Sequence, residues 1–325
     1  MITSYFWRPD GTLDSNLSRE ALAQVLSSGE GLLWVDLESP SAEETEVLSS
    51  VFQFHHLAVD DCLNRHVDTP KIDDYDQYLF IITQGISFQT RSARLETTEL
   101  DLFLGKNYVV SFHGLPLPAV DDLRRRCQEN GSLLLSRGAD YLAHALLDAL
   151  VDDFLPPVEE MDDVLGRLEE EVLANPNKGT LQEILLLKHN AQRLRRTVLP
   201  QRDVVNRFAR GEFPALVREE MRIYFRDMYD HVVRVVDMVE SLRELADGVL
   251  STYLAAMNNR MNEVMKVLAI VATIILPLTL ISGIYGTNFE NLPELGWQWG
   301  YFGMLGAMAI VAVGLVAFFR WRRWF

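Results

Sequence analysis

Near its C-terminus the chain reads Gly283-Ile-Tyr-Gly-Thr-Asn288 and then Phe289-Glu-Asn-Leu-Pro-Glu294. Glycines at 283 and 286 free the backbone to leave a helix. The carbonyls so exposed, with the amide oxygen of Asn288, are hard neutral ligands suited to a hydrated divalent cation. Glu290 and Glu294 would concentrate such cations at the entrance to a site. The same stretch is also compatible with a plain turn between two helices, and residue chemistry alone leaves both readings open. Upstream, Asn262, Met265, Ala269, Ala272, Leu276, Thr279, Gly283 and Gly286 recur at alternating steps of three and four. That is the seam expected where helices meet around an axis, with small residues allowing close approach and Asn262 and Thr279 placing polar groups on an apolar wall. The alternative for this stripe is the packing face between two neighbouring helices.

These residues sit on or beside two uncharged apolar runs, 267–289 and 295–319. About 20 apolar residues at about 1.5 Å each span a hydrocarbon layer of about 30 Å, so each run is long enough to cross a bilayer. A buried hairpin of a soluble protein would seldom run this far without a charge. Lys266 precedes the first run and Arg320, Arg322 and Arg323 follow the second, while the link between them has two carboxylates and no Lys or Arg. The positive-inside bias then places both termini in the cytoplasm and the acidic link outside, as in a two-pass protein of an inner (plasma) membrane. Trp297, Trp299, Trp321 and Trp324 bracket the second run, where indoles favour the interface. Two spans per chain cannot enclose a water-lined path, so a pore requires several copies in a closed ring.

The 325-residue chain carries a formal net charge of −16. Past Glu263 there are four basic and two acidic residues, so residues 1–263 carry about −18. Such a surface repels nucleic acid and attracts cations. Cys62 and Cys127 match no zinc or redox spacing and fit a reducing compartment. The N-terminal residues lack the basic and apolar regions of a cleaved signal, so the first apolar run is expected to direct insertion. No nucleophile elbow, phosphate loop or paired catalytic carboxylate is present in the sequence, and no enzyme or cofactor is expected. His55 and His56 are adjacent, and neighbours on a helix point about 100° apart, which disfavours a shared metal.

The expected architecture is an α+β membrane protein. Residues 1–136 form a cytoplasmic α/β domain, with strands at 32–37, 78–83, 99–104 and 108–112, a tight hairpin at 105–107, and a helix begun by the Ser41-x-x-Glu44 capping box. Residues 137–262 form a helical stalk. It comprises one stretch from 140 to 173 bent at Pro156-Pro157, a second helix from 178 to about 210, and a third from about 214 that continues into the membrane. The remaining segments are a first transmembrane helix at 263–286, an external loop at 287–298, a second transmembrane helix at 299–319 and a basic tail at 320–325. On the third stalk helix Phe225, Met228, Val232, Val235, Val239, Leu242, Ala246, Val249 and Leu250 share about half the circumference. Asp227, Asp230, Asp237, Glu240, Glu244 and Asp247 take the other half, either as a solvated face or as something more specific. The rod, roughly 100 Å long, needs neighbours: the preceding helices or copies of itself.

Tyr285-Gly-Thr-Asn-Phe289, Leu292-Pro-Glu-Leu295, Trp297-Gln-Trp-Gly-Tyr301 and the basic-aromatic 320–325 together resemble the CorA family of divalent-cation transporters. Weaker likeness extends through 262–268, 224–231 and 139–153, so the resemblance covers nearly the whole chain. It implies a homopentameric funnel in lipid whose first spans line the pore and carry Mg²⁺, with Co²⁺ and Ni²⁺ as further cargo. By the same resemblance Asn288 forms the outer selectivity site with Gly286, in a signature whose middle residue is here Thr287 instead of methionine. Asn262, Met265, Leu268, Leu276, Thr279 and Gly283 line the path, with Leu268 and Leu276 as an apolar constriction. The resemblance also implies intracellular Mg²⁺ as a regulatory ligand bridging subunits through Asp60 and Asp61 of one chain and Asp227 of the next. The Zn²⁺-transporting ZntB branch, with possible proton coupling, is the alternative. A membrane tether would need no polar groups at 262, 279 and 288.

Overall fold

In a computed structural model the described residues are 1–64, 67–89, 94–287, 296–322 and 324. The chain divides into two compact units, residues 1–171 with 177–250, and residues 172–176 with 251–325.

The first unit is built on a seven-stranded sheet. Its strands are β1 (Ile2–Trp7), β2 (Leu13–Ser15), β3 (Leu32–Glu38), β4 (Lys71–Asp74), β5 (Leu79–Gln89), β6 (Arg94–Leu104) and β7 (Tyr108–His113). Their order is β2-β1-β3-β7-β6-β5-β4, with β3 and β7 parallel and the other pairs antiparallel. Helices α1 (Arg19–Ser28), α2 (Ala42–Ser50) and α3 (His56–Leu63) share a core with one face through Leu22, Val47, Leu48, Ala58 and Cys62, against Leu33, Val35, Phe80, Phe103 and Val110. Helices α4 (Pro118–Leu135) and α5 (Ala139–Asp152) contact other strands of the sheet. Because β3 lies mid-sheet with both faces covered, its sequence Leu-Leu-Trp-Val-Asp-Leu is apolar at nearly every position instead of alternating.

All four expected strands form and run one to several residues further than expected, although β5 begins at Leu79, one residue late. Strands β1, β2 and β4 lie outside the expected set: β2 and β4 are short, whereas β1, Ile-Thr-Ser-Tyr-Phe-Trp, carries the same branched and aromatic signal as the expected strands and was overlooked. The Ser41–Glu44 capping box has both reciprocal bonds, with the Glu44 N–H donating to Ser41 Oγ (3.3 Å) and the Ser41 N–H donating to Glu44 Oε2 (2.8 Å). Gly105 N–H donates to the Tyr108 carbonyl across the expected hairpin (3.0 Å). The stretch 140–173 is not one bent helix. It is α5 followed by α6 (Leu155–Ala174), broken at Asp153-Phe154. Pro156 and Pro157 therefore fall in the first turn of a new helix, where a missing N–H costs nothing, and not at a kink. Helix α7 (Lys178–Ala209) matches expectation, and Gly211 turns the chain with φ +72°. The third helix starts later than expected. A 3-10 turn at Glu219–Met221 precedes α8 (Arg222–Tyr285), a continuous helix of 64 residues that runs through Pro277.

The buried polar network in this unit runs through Asp36, which is wholly covered. Trp34 Nε1 donates to Ser111 Oγ (3.0 Å), and Ser111 donates to Asp36 Oδ1 (2.5 Å). Arg124 of α4 pairs with Asp36 Oδ2 (3.2 Å), with Glu38 (2.6 Å) and with Asp121. His113 places Nε2 at 3.3 Å from Asp36 and Nδ1 at 2.7 Å from the Leu115 carbonyl. Burial alone would lower its pKa, but the Asp36 carboxylate and that carbonyl outweigh it and raise it. The stabilisation from His113 is thus complete below its ordinary value near 6.5 and fades as pH rises through the raised value. His113→Gln should lower the melting temperature more at pH 6 than at pH 9. Asp36→Asn should cost about 3–5 kcal/mol in denaturant unfolding at pH 7, because two cations lose a buried counter-charge.

Candidate functional site

Helix α8 presents different faces in each unit. Through residue 250 its apolar stripe is covered: Phe225, Met228, Val232, Val235, Val239, Leu242, Ala246 and Val249 are buried. Phe225 stacks on Phe208 of α7 at 4.7 Å and meets His144 of α5 edge-on at 5.2 Å, so the neighbours here are the chain's own helices. Part of the acidic row is likewise spent on α7. Glu240 pairs with Arg195, and Asp247 with Lys188 at 2.6 Å. Being at the surface, each such pair is worth at most about 1 kcal/mol.

In the second unit the pattern inverts. Asn262, Met265, Leu268, Ala269, Ala272, Leu276, Thr279, Gly283 and Gly286 are all exposed, with Leu268 59% and Leu276 68% accessible. The covered or half-covered positions are Lys266, Ile270, Ile274, Pro277, Leu278, Ile281 and Tyr285. At 100° per residue the two sets point to roughly opposite sides of the helix. The seam is therefore not the face that packs within the chain. A depression of about 400 Å³ runs along it, lined by Leu276, Thr279, Leu280, Gly283, Ile284 and Thr287. Thr279 donates its hydroxyl proton to the Ile275 carbonyl (3.0 Å) and Thr287 to the Ile284 carbonyl (2.7 Å). Both hydroxyl protons are spent on the helix, which leaves oxygen lone pairs outward as acceptors. Helix α9 (Gly300–Trp321) is the second apolar helix, and both it and α8 are long and apolar enough to cross a membrane. Lys266 Nζ lies 5.9 Å from the Trp324 ring centroid. Asn288, Glu290 and Glu294 lie outside the described residues.

The acidic residues expected to hold a regulatory cation are not brought together within one chain. Asp60 is exposed on α3, and Asp61 beside it pairs with Lys71 at 2.8 Å, which also pairs with Asp73 at 2.9 Å. Asp227 is exposed on α8, and its electrostatic neighbours are His144 and Asp148 on α5. Sequence reasoning missed this second group. His144, Asp148 and Asp152 lie four apart on α5, and Asp227 and His231 four apart on α8, so helical spacing was the available signal. His231 Nδ1 lies 3.9 Å from Asp152. Burial pushes the Asp148 pKa up and the His144 pKa down. His55, instead of facing a metal, caps α3 by accepting the Leu57 N–H (3.3 Å). Among the described residues no three His, Cys, Asp or Glu side chains converge closely enough to hold a metal directly.

A single chain thus presents two membrane-length helices, an uncovered seam on the first and an α/β unit with dispersed carboxylates. That fold is found in divalent-cation transporters. The solved structure described as the complete CorA magnesium transporter from Methanocaldococcus jannaschii superposes with a TM-score of 0.84 at 21% identity, covering 98% of this chain and 97% of that one. In sequence the chain is 40% identical over 294 residues to the cobalt/magnesium transport protein CorA of Thermotoga maritima, 90% of this chain and 83% of that protein. It is 38% identical over 295 residues to the putative metal ion transporter YfjQ of Bacillus subtilis, 90% of this chain and 89% of that protein. Residues 29–323 match the family described as CorA-like Mg2+ transporter protein, and the chain belongs to that family.

The raised Asp148 pKa has a measurable consequence. An acid whose folded pKa lies above its unfolded value loses stability as pH rises between the two, so at neutral pH its ionisation is a penalty. Asp148→Asn should raise the melting temperature at pH 7 in chelator and leave it unchanged near pH 3, where the wild-type carboxyl is protonated in both states.

Proposed function

We propose that the protein is a channel for divalent cations, Mg²⁺ foremost and Co²⁺ or Ni²⁺ as further cargo, in which several identical chains, five by family likeness, surround a central path lined by the seam of α8. The observation that carries this is the exposure of 262, 265, 268, 269, 272, 276, 279 and 283 on the side of α8 opposite its half-covered face. An apolar helix stripe bearing small residues and outward hydroxyl oxygens fits a path for an ion that keeps its water. Leu268 and Leu276 form the narrow apolar passage, closed by dewetting. In this reading Asn288 with Gly286 and Thr287 meets the hydrated ion outside, Glu290 and Glu294 gather cations there, and both termini are cytoplasmic. The segments at 1–136, 137–262, 263–286, 287–298, 299–319 and 320–325 are then the α/β domain, stalk, pore helix, outer loop, second span and tail. Membrane potential suffices as the driving force. A dication gains about 4.6 kcal/mol per 100 mV, so neither an enzymatic step nor a cofactor is needed.

Gating follows from the placement of the carboxylates. Asp60 and Asp61 on one chain and Asp227 on its neighbour would be joined by intracellular Mg²⁺ when it is plentiful. Its release leaves like charges opposed and frees the ring to widen. Lys71 holds Asp61 when the cation is absent, competing with it at the surface.

Mg²⁺ uptake into proteoliposomes tests both parts. Asn288→Ala should abolish flux, and Asp227→Ala should keep flux but raise the internal Mg²⁺ needed for closure. Unchanged flux in the first variant contradicts the outer site, and unchanged inhibition in the second removes Asp227 from the sensor. Zn²⁺ flux that depends on a proton gradient, without Mg²⁺ flux, would favour the ZntB-like alternative.

A further inference from the structure

The largest chemical anomaly outside these sites lies inside the α/β core. Glu99 and Asp101 are two apart on β6 and share the sheet face that carries Phe103, the face covered by α3. Asp101 is 2% accessible, and its Oδ1 meets no hydrogen-bond donor among the described residues. Both carboxylates line a cavity of about 330 Å³ with Cys62, Val67, Thr97, Thr98, Phe112, His113 and Leu115 among its walls. Among the described residues the charged and titratable groups around it are few, and Arg193 reaches its wall at Thr97 Oγ1 (3.4 Å). Asp61 is engaged by Lys71, and His113 is spent on Asp36 and the Leu115 carbonyl. Asp68 donates its backbone N–H to Glu99, and the Cys62 thiol is hydrogen-bonded with Asp101. Among the described residues no cation neutralises the pair. Burial, with the like charges of Asp68 and Asp61, holds the Glu99 pKa up at about 7, and burial with the like charge of Glu99 holds that of Asp101 well above the carboxylate range. A buried and a half-buried carboxyl sharing a proton beside an open space are set to exchange it for a cation.

We propose that Glu99 and Asp101 bind one hydrated Mg²⁺ ion inside each α/β domain, within a single chain and apart from Asp61 and Asp227. Two carboxylates match a dication in charge, whereas a monovalent ion would leave one negative charge beside the buried Asp101 uncompensated. The pocket is partly open to solvent, so an ion can enter it with waters of its shell. Since no three side chains among the described residues converge for direct coordination, the ion is held through its waters, as suits Mg²⁺, which dehydrates reluctantly. Binding expels the shared proton to solvent. Cys62 touches Asp101 and follows Asp61 on α3, so occupancy is felt by the helix bearing the proposed sensor. The choice of Mg²⁺ rests on the transport reading above, while the exchange of proton for dication does not.

The test is calorimetric Mg²⁺ titration of the full chain in lipid nanodiscs at pH 6.5, in two buffers of different protonation enthalpy. Wild type should release on the order of one proton per chain as Mg²⁺ binds, with apparent affinity rising up to about tenfold per pH unit toward pH 7. Glu99→Gln with Asp101→Asn should abolish this release, and Asp227→Ala should retain it. The single variant Glu99→Gln relieves a like-charge contact and should melt no lower than wild type at pH 8, which separates site loss from misfolding. No release in wild type, release persisting in the double variant, or release driven by Zn²⁺ but not by millimolar Mg²⁺ would each overturn the proposal. If release occurs yet Mg²⁺ is not transported, this site stands and the channel reading falls.

Discussion

An apolar helix face that its own chain does not cover must be covered by something else, and helix α8 is organised by that constraint. Up to residue 250 the hydrophobic stripe is covered within its unit, and burial of Phe225, Val232, Val239 and Leu242 at roughly 1.5–3 kcal/mol each fixes the helix there. Beyond residue 251 the helix keeps its apolar character with one side bare. Lipid can cover Leu280 or Ile284. It has no use for the outward oxygen of Thr279, since polar groups in hydrocarbon are costly unless they face protein or water. Copies of the same helix around an axis satisfy both kinds of residue together.

The α/β unit answers a different constraint, the placing of charge in a chain of net charge −16. Where carboxylates are needed for stability they are matched: Asp36 has Arg124 and His113, and Asp140 has Arg218 at 2.7 Å. Elsewhere they are left incompletely matched, at Asp60, at Asp227 with Asp148, and at Glu99 with Asp101. At the exposed Asp60 and Asp227 water solvates the charge, and at the more covered Asp148 and Asp101 a raised pKa relieves it. In the proposed gating, coupling to α8 would require no long-range wire, because Asp227 is itself a residue of that helix.

Much of the fold was legible because its signals are local. Strands β3, β5, β6 and β7 are dense in branched and aromatic residues, Ser41 and Glu44 announce α2, and the seam shows as a run of threes and fours. Except for β1, the missed elements failed for physical reasons. Strand β2 gains its order from pairing with β1, and Pro156-Pro157 looked like a kink until the break at Asp153-Phe154 showed the prolines opening a helix. The group around Asp148 and the pair Glu99–Asp101 were invisible as sites, because each depends on which neighbours tertiary packing supplies. Asp227 stood out only through family resemblance, and its neighbours came from structure.

The central claim, that one face of α8 borders water while the opposite face borders protein, is most directly measured by single cysteines placed along 265–283 in reconstituted protein and exposed to a charged, membrane-impermeant thiol reagent. The account predicts reaction at 265, 272, 276, 279 and 283 and protection at 270, 274 and 281, with Cys62 and Cys127 silent because both are buried. Uniform protection along the helix, or reaction confined to 270, 274 and 281, would contradict it.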